Sequence, residues 1–251
     1  MYIETRTRLT KFKGKSKFQN LDANGMFNPI VFIGTVGAGK STQKEMLKRD
    51  LEKRKIRVKL SLLKRGHLLT YILEASLAFL FTSKRANEAP IRSLIEERPR
   101  LLKNLFVFWV SLDILSIYVK FFIDIYLPLK FGLTVIVEDY LPATLADYAY
   151  LSDKIGQDPK RLDFLFRMIQ KLAALEGNTG AIFLDANNDS LRARWSIRKS
   201  FGEKMEYLEM QRNLVRIYLD SLIPGKTLFI DTTSKTIQET NALIVDFVLA
   251  S

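Results

Sequence analysis

Apolar residues gather along this chain into five short runs and several longer stretches with helical spacing. Residues 30–34, 57–62, 134–138, 181–185 and 227–231 are rich in β-branched and aromatic side chains, and each run is short enough to be a strand buried in a sheet. Between them, 41–55 is rich in Lys, Glu, Leu and Met, 68–81 is strongly apolar, and 101–126 is long enough for a full helix. Residues 163–175 and 203–222 carry apolar positions at helical spacing. Alternating strands and helices predict an α/β protein: a five-stranded parallel sheet between two helical layers, a three-layer α/β/α arrangement. Ligands of such sheets bind beyond the carboxyl ends of the strands, which is where polar residues carry chemistry.

Composition changes this picture in three places. The chain of 251 residues has a formal net charge of +12, so its partner is expected to be anionic: a nucleotide, a nucleic acid or an acidic surface. Part of that charge sits in residues 1–20, where Arg6, Arg8, Lys11, Lys13, Lys15 and Lys17 face only Glu4. Residues 1–28 therefore read as a basic extension, solvated or in contact with nucleic acid, ahead of a domain at 29–251. Cysteine is absent, which excludes disulfides, thiolate metal sites and cysteine nucleophiles and favours a cytoplasmic location. The most membrane-like stretch, 101–129, is interrupted by Lys103, Asp113, Lys120 and Asp124. Each would cost roughly 2.5–3.5 kcal/mol at a bilayer centre, so a buried helix is expected and no membrane span.

The sharpest signal is Gly34-Thr35-Val36-Gly37-Ala38-Gly39-Lys40-Ser41-Thr42, which satisfies G-x-x-x-x-G-K-S/T between a strand and a helix. Glycines let the backbone wrap phosphate oxygens without a Cβ in the way, and the amides of the following helix point at the anion. Lys40 is expected to bridge the β- and γ-phosphates, Ser41 to ligate Mg²⁺ through its hydroxyl, and Thr42 to add a phosphate contact. The cofactors implied are ATP and Mg²⁺.

Beyond this cradle the chain resembles the thymidylate kinase branch of the nucleoside and nucleotide monophosphate kinases. Pro128-Leu129-Lys130-Phe131-Gly132 followed by VIVEDYLPATLADY, Val135 to Tyr148, is similar to the family's entry into its third strand, and LDANNDSLRARWSIR, Leu184 to Arg198, to its lid segment. The resemblance covers about residues 29–250 and implies transfer of the ATP γ-phosphoryl group to a nucleoside monophosphate or nucleoside, thymidylate first. It implies that Arg194 and Arg198, with Arg192 as a third, stabilise charge on the triphosphate, that Glu138 helps hold the metal, and that the protein is a homodimer. Strand alternation alone leaves open whether Glu138 or Asp139 faces the site.

Two departures bear on the acceptor. Asp139 stands where the family has an arginine, and no arginine lies between Lys103 and Phe131, where relatives carry a second. Lys64 and Arg65, or Arg92, Arg98 and Arg100, are the cations that could replace them, with Arg65 first. Acceptor contacts are therefore assigned to Arg65, His67, Asp139 and Tyr140, His67 being the only histidine and as readily structural. Two other functions fit the same residues: a regulatory protein that binds nucleotide without acceptor chemistry, and a P-loop kinase or ATPase acting on nucleic acid.

Overall fold

The computed structural model describes residues 26–64, 66, 69–82, 90–158, 160–175, 178–199 and 202–250. The basic arm at 1–20, and Arg65 and His67, lie outside the described residues. Strands β1 (Ile30–Gly34), β2 (Val58–Leu62), β3 (Thr134–Glu138), β4 (Gly180–Asp185) and β5 (Thr227–Asp231) form one sheet in the order β2-β3-β1-β4-β5. Every pairing is parallel. The expected architecture and all five expected strands are present, with β2 starting one residue later and β4 one residue earlier than the apolar pattern suggests.

Helices return the chain between parallel strands. They are α1 (Lys40–Lys53), α2 (Leu69–Phe81), α3 (Pro90–Glu97), α4 (Pro99–Phe121), α5 (Leu141–Lys154), α6 (Arg161–Ala173), α7 (Asn188–Ile197), α8 (Met205–Leu222) and α9 (Ile237–Leu249). After α4 the chain passes through a π-helical turn, Phe122–Tyr126, and a closing turn, Leu127–Lys130. Pro128 explains the wide turn: its ring would press on the carbonyl four residues back, at Asp124, and it offers no amide to it. Gly132 (φ 70°) then ends the segment in a left-handed conformation, with its amide on Leu129 O and that of Leu133 on Pro128 O, and aims the chain into β3.

Side chains of successive strand residues enter opposite layers. Val31, Ile33, Val135, Val137 and Phe183 pack with Trp109, Ile117, Tyr148 and Leu219 on one face. Ile30, Phe32, Ile136, Ile182 and Leu184 pack with Leu47, Leu51, Ile244 and Val248 on the other. Burying each such side chain contributes about 1.5–3 kcal/mol. The second cluster also takes in Met26 and Phe27, and Asn28 bonds Leu133 O and the amide of Val135, so these three residues of the expected extension pack against the domain.

The segment Pro99–Lys130 is long and apolar enough to cross a membrane, with mean hydropathy 1.9, and 44% of its most apolar window is buried against the domain. Its Asp113 is fully buried.

Candidate functional site

The loop from Gly34 to Thr42 is held by its neighbours before any ligand is considered. Gly34 leaves β1 at φ 140°, and a Cβ there would lie 1.8 Å from Leu184 O of the adjacent strand. Gly37 (φ 93°) sits against the indole of Trp195, whose Nε1 donates to Val36 O at 2.9 Å. Gly39 (φ 99°) is the N-cap of α1, supplies no side-chain cap, and has nothing within 4 Å of where a Cβ would be. The first-turn amides of α1 are therefore left to a ligand at the positive end of the helix, a cradle suited to phosphate.

Lys40 is buried, and its Nζ donates to Gly34 O at 2.9 Å and Thr35 O at 3.2 Å, with Asp139 Oδ1 3.6 Å away. Ser41 Oγ donates to Glu138 Oε1 at 2.6 Å, and Lys44 Nζ meets Glu138 Oε2 at the same distance. Burial pushes the Glu138 carboxyl up, but the bonds from Lys44 and Ser41 together with the charges of Lys44 and Lys40 outweigh it, so its pKa is lowered. The face of Glu138, open on sequence, is thus toward Ser41. Asp139 breaks the strand alternation: its φ of 48° lies in the left-handed region, and its amide bonds Phe32 O. The donor set at Ser41 and Glu138, a hydroxyl and a carboxylate beside a phosphate cradle, suits a hard cation that keeps several waters, as Mg²⁺ does.

Helix α7 closes the other side. Arg194 donates to Gly37 O (3.2 Å), Thr232 Oγ1 (3.0 Å) and Thr232 O (2.7 Å), tying the loop apex to the end of β5. Arg198 is the C-cap of α7 and exposed, as is Arg192, which lies 3.9 Å from Asp189. The structure therefore brings Arg194 to the cradle as a brace, with Arg198 one turn further along. Beneath the cradle, Thr35 Oγ1 donates to Asp185 Oδ1, and Arg212 Nε donates to Asp185 Oδ2 at 2.8 Å while its other nitrogens reach Asn188 Oδ1 and Ala186 O.

On the side of β2 and β3, Tyr140 is 1% exposed and belongs to the apolar cluster, away from open surface. Asp113 of α4 accepts the Gly66 amide on both oxygens, at 3.0 and 3.1 Å, and the Tyr148 hydroxyl. Glu74 of α2 accepts from Trp109 Nε1 at 3.1 Å. Arg98 donates to Phe81 O and Arg100 is exposed. The side chain of Arg92 lies outside the described residues.

Sequence reasoning missed Lys44, Trp195, Thr232, Asp185 and Arg212. Lys44 was legible, being one helical turn after Lys40. Asp185 ends a strand, the place where ligand-side polar groups gather. Arg212 and Thr232 carried no local signal.

Cradle, parallel sheet and strand order together define the three-layer P-loop NTPase fold. No known family profile and no curated protein sequence matches the chain. Solved structures do: the chain is similar to a thymidylate kinase from Candida albicans, described as revealing the origin of broad substrate specificity and a novel structural element. The likeness has 16% identity and a TM-score of 0.50, and covers 90% of this chain and 92% of that one. At this identity it establishes the fold.

Proposed function

We propose that the chain is an ATP- and Mg²⁺-dependent kinase of small molecules, transferring the γ-phosphoryl group to a nucleoside or nucleoside monophosphate, with thymidylate the first acceptor to assay. The observation that carries this reading is the bond from Ser41 Oγ to Glu138 Oε1, which sets the cradle's hydroxyl against a strand-end carboxylate. In a nucleotide complex, Lys40 exchanges the carbonyls of Gly34 and Thr35 for phosphate oxygens, a charged acceptor for a neutral one. Ser41 and Glu138 would hold Mg²⁺, which would supply charge neutralisation on the phosphates. Arg194 fixes the loop, and Arg198, exposed at the helix end, would supply a further cation for the triphosphate. The α/β scaffold and lack of cysteine support a cytoplasmic enzyme, not embedded in a membrane.

The test is ADP release with Mg²⁺-ATP across nucleosides and monophosphates, including thymidylate. A stimulated rate that disappears in Lys40→Ala supports the reading; ATP binding with no acceptor stimulating turnover sinks it. That second result would favour a regulatory nucleotide-binding protein, a reading that draws on Asp139 standing where relatives carry a cation. Contact between the basic arm and nucleic acid is tested by salt-dependent RNA or DNA binding with and without residues 1–20.

The second proposal is a homodimer through α4. Phe108 and Leu115 of α4 and Phe122 of the π-helical turn after it are half or more exposed and repeat every seven residues, with exposed Ser111 and Val119 between them. That repeat is the seam of a helix pair. Ile72, Phe79 and Leu80 on the neighbouring α2 are exposed as well, and a stable interface buries roughly 800 Å² per partner.

A further inference from the structure

Lys44 has no part in the phosphate cradle, yet it is packed beside it. It follows Lys40 by one turn of α1, so the two side chains leave one face of the helix. Lys40 turns to the loop carbonyls, while Lys44 Nζ meets Glu138 Oε2 at 2.6 Å, with both members of that pair 14% exposed. Glu138 reaches this layer by strand alternation: Ile136, two residues earlier, packs with Leu47 of α1. Each oxygen of the carboxylate then has its own partner, Oε1 the Ser41 hydroxyl and Oε2 the lysine. The carboxylate is thus presented through Oε1 alone to the hydroxyl that would share a metal with it.

The charges at this corner balance. Glu138 pairs with Lys44, and Asp139 lies 3.6 Å from Lys40, two carboxylates against two ammonium groups. Among the described residues, no cluster of three or more His, Cys, Asp or Glu side chains could hold a metal ion. The affinity of a hard divalent cation follows the number and charge of its oxygen ligands, and Mg²⁺ is usually held by one or two carboxylates together with substrate phosphates. One carboxylate oxygen and one hydroxyl beside an ammonium group therefore have little pull on a free cation. A largely buried lysine also repels that cation more strongly than a solvated one, because the surrounding dielectric is lower. A triphosphate in the cradle supplies the missing negative charge.

We propose that Lys44 is a positioning residue that makes divalent-cation binding at this site depend on the nucleotide. It aims Glu138 Oε1 at the Ser41 hydroxyl, and its charge offsets that of the carboxylate until phosphates are present. Metal and nucleotide then enter together, and the site does not fill with cation alone. The inference deepens the donor-site reading above and rests on it, independently of which acceptor is used.

The experiment uses Mn²⁺ as the probe, its free signal read by electron paramagnetic resonance, with the full chain alone or saturated with the β,γ-imido analogue of ATP. Calorimetry follows binding of the analogue in parallel. The native chain should take up Mn²⁺ when the analogue is present and leave it free when it is not. Lys44→Met, similar in length but uncharged, should bind Mn²⁺ without the analogue at least about tenfold more tightly than the native chain does. Lys44→Arg keeps the charge and should stay near the native chain. A lysine with a purely structural role would alter folding stability and nucleotide affinity and leave Mn²⁺ binding by the chain alone as it is. Lys44→Gln takes the place of Lys44→Met if the latter fails to fold. In the double variant Lys44→Met/Glu138→Gln the gain should vanish, because the carboxylate that provides it is gone. Unchanged Mn²⁺ affinity in Lys44→Met, a gain that survives in the double variant, or tight Mn²⁺ binding by the native chain alone overturns the inference. No binding of the analogue by the native chain overturns the donor-site reading, and the inference with it.

Discussion

Ser41 and Glu138 meet at 2.6 Å across 97 residues of sequence, joining the first turn of the P-loop helix to the end of the neighbouring strand. With Lys44 on the second oxygen, the Glu138 carboxylate is bonded at both ends, and this holds it ionised against the effect of its own burial. Because its folded pKa is lowered, the contribution to stability is present above the ordinary glutamate pKa and is lost as pH falls through the folded value. Glu138→Gln should therefore lose about 1–3 kcal/mol at pH 7, the cost of a charge-assisted bond and an unpaired Lys44. In urea denaturation the gap to the native chain should begin to narrow as the pH falls below the ordinary glutamate pKa and close as it passes through the lowered folded value. A gap that stays constant with pH would remove the ionic explanation.

The glycines of the cradle serve two different ends, and substitution separates them. Gly34→Ala places a methyl 1.8 Å from Leu184 O, a backbone atom in the centre of the sheet, so it should destabilise by more than about 3 kcal/mol or prevent folding. Gly39→Ala meets nothing within 4 Å and carries only the strain of φ 99°, about 1–3 kcal/mol. That variant should fold yet bind ATP at least tenfold more weakly. Melting curves paired with ATP titration decide; similar melting temperatures for the two would contradict the geometry.

How much of this was legible in the sequence depends on which rule each residue obeys. The inner strands β1, β3 and β4 follow from near-continuous apolar runs because both of their faces are buried, whereas the edge strands β2 and β5 are only partly buried and keep fewer apolar positions. The last helix, α9, was not among the elements expected, although its capping box is written out as Thr236 and Glu239. Helix α5 is masked by Pro142, which is harmless only because it falls in the first turn. Tyr140, expected at the acceptor, is core: Asp139 adopts a positive φ just before it, and strand alternation no longer says which way the next side chain points. Arg212 reaches Asp185 from 27 residues away on another helix, a relation only the fold creates.

That arginine gives a sharp test. Its nitrogens bond Asp185 Oδ2, Asn188 Oδ1 and Ala186 O at once, a fork that a lysine ammonium cannot reproduce. Arg212→Ala leaves Asp185 partly buried with its Thr35 and Ala186 bonds alone, and should cost about 2–4 kcal/mol. Arg212→Lys should recover less than half of that loss in chemical denaturation. Full recovery would mean that charge alone, and not the fork, holds the end of β4.

Trp195 ties the cradle to α7, and with Trp109 it is one of two tryptophans, which makes binding readable by fluorescence. In a Trp109→Phe background, emission comes from Trp195, whose Nε1 bonds Val36 O and whose ring packs on Gly37. Addition of ATP should change that emission saturably, whereas the Lys40→Ala version should show no saturation in the same range. Trp195→Phe removes one bond, worth about 0.5–1.5 kcal/mol, and should weaken ATP binding through a looser loop apex. An emission indifferent to ATP, in protein that calorimetry shows to bind it, would place the nucleotide away from this loop.

The exposed seam on α4 makes the last prediction. If a second copy covers Phe108, Leu115 and Phe122, the native chain of 28.9 kDa should sediment at twice that mass at micromolar concentration. Leu115→Glu puts a charge in the middle of the stripe, where it is solvated in a monomer and stranded in a dimer, so the variant should sediment as a monomer. Leu115 does not belong to the cradle, so ATP binding by the monomer should match the native value within about twofold. A native chain that is monomeric at tens of micromolar, yet binds vesicles through the same stripe, would assign the face to a lipid surface instead.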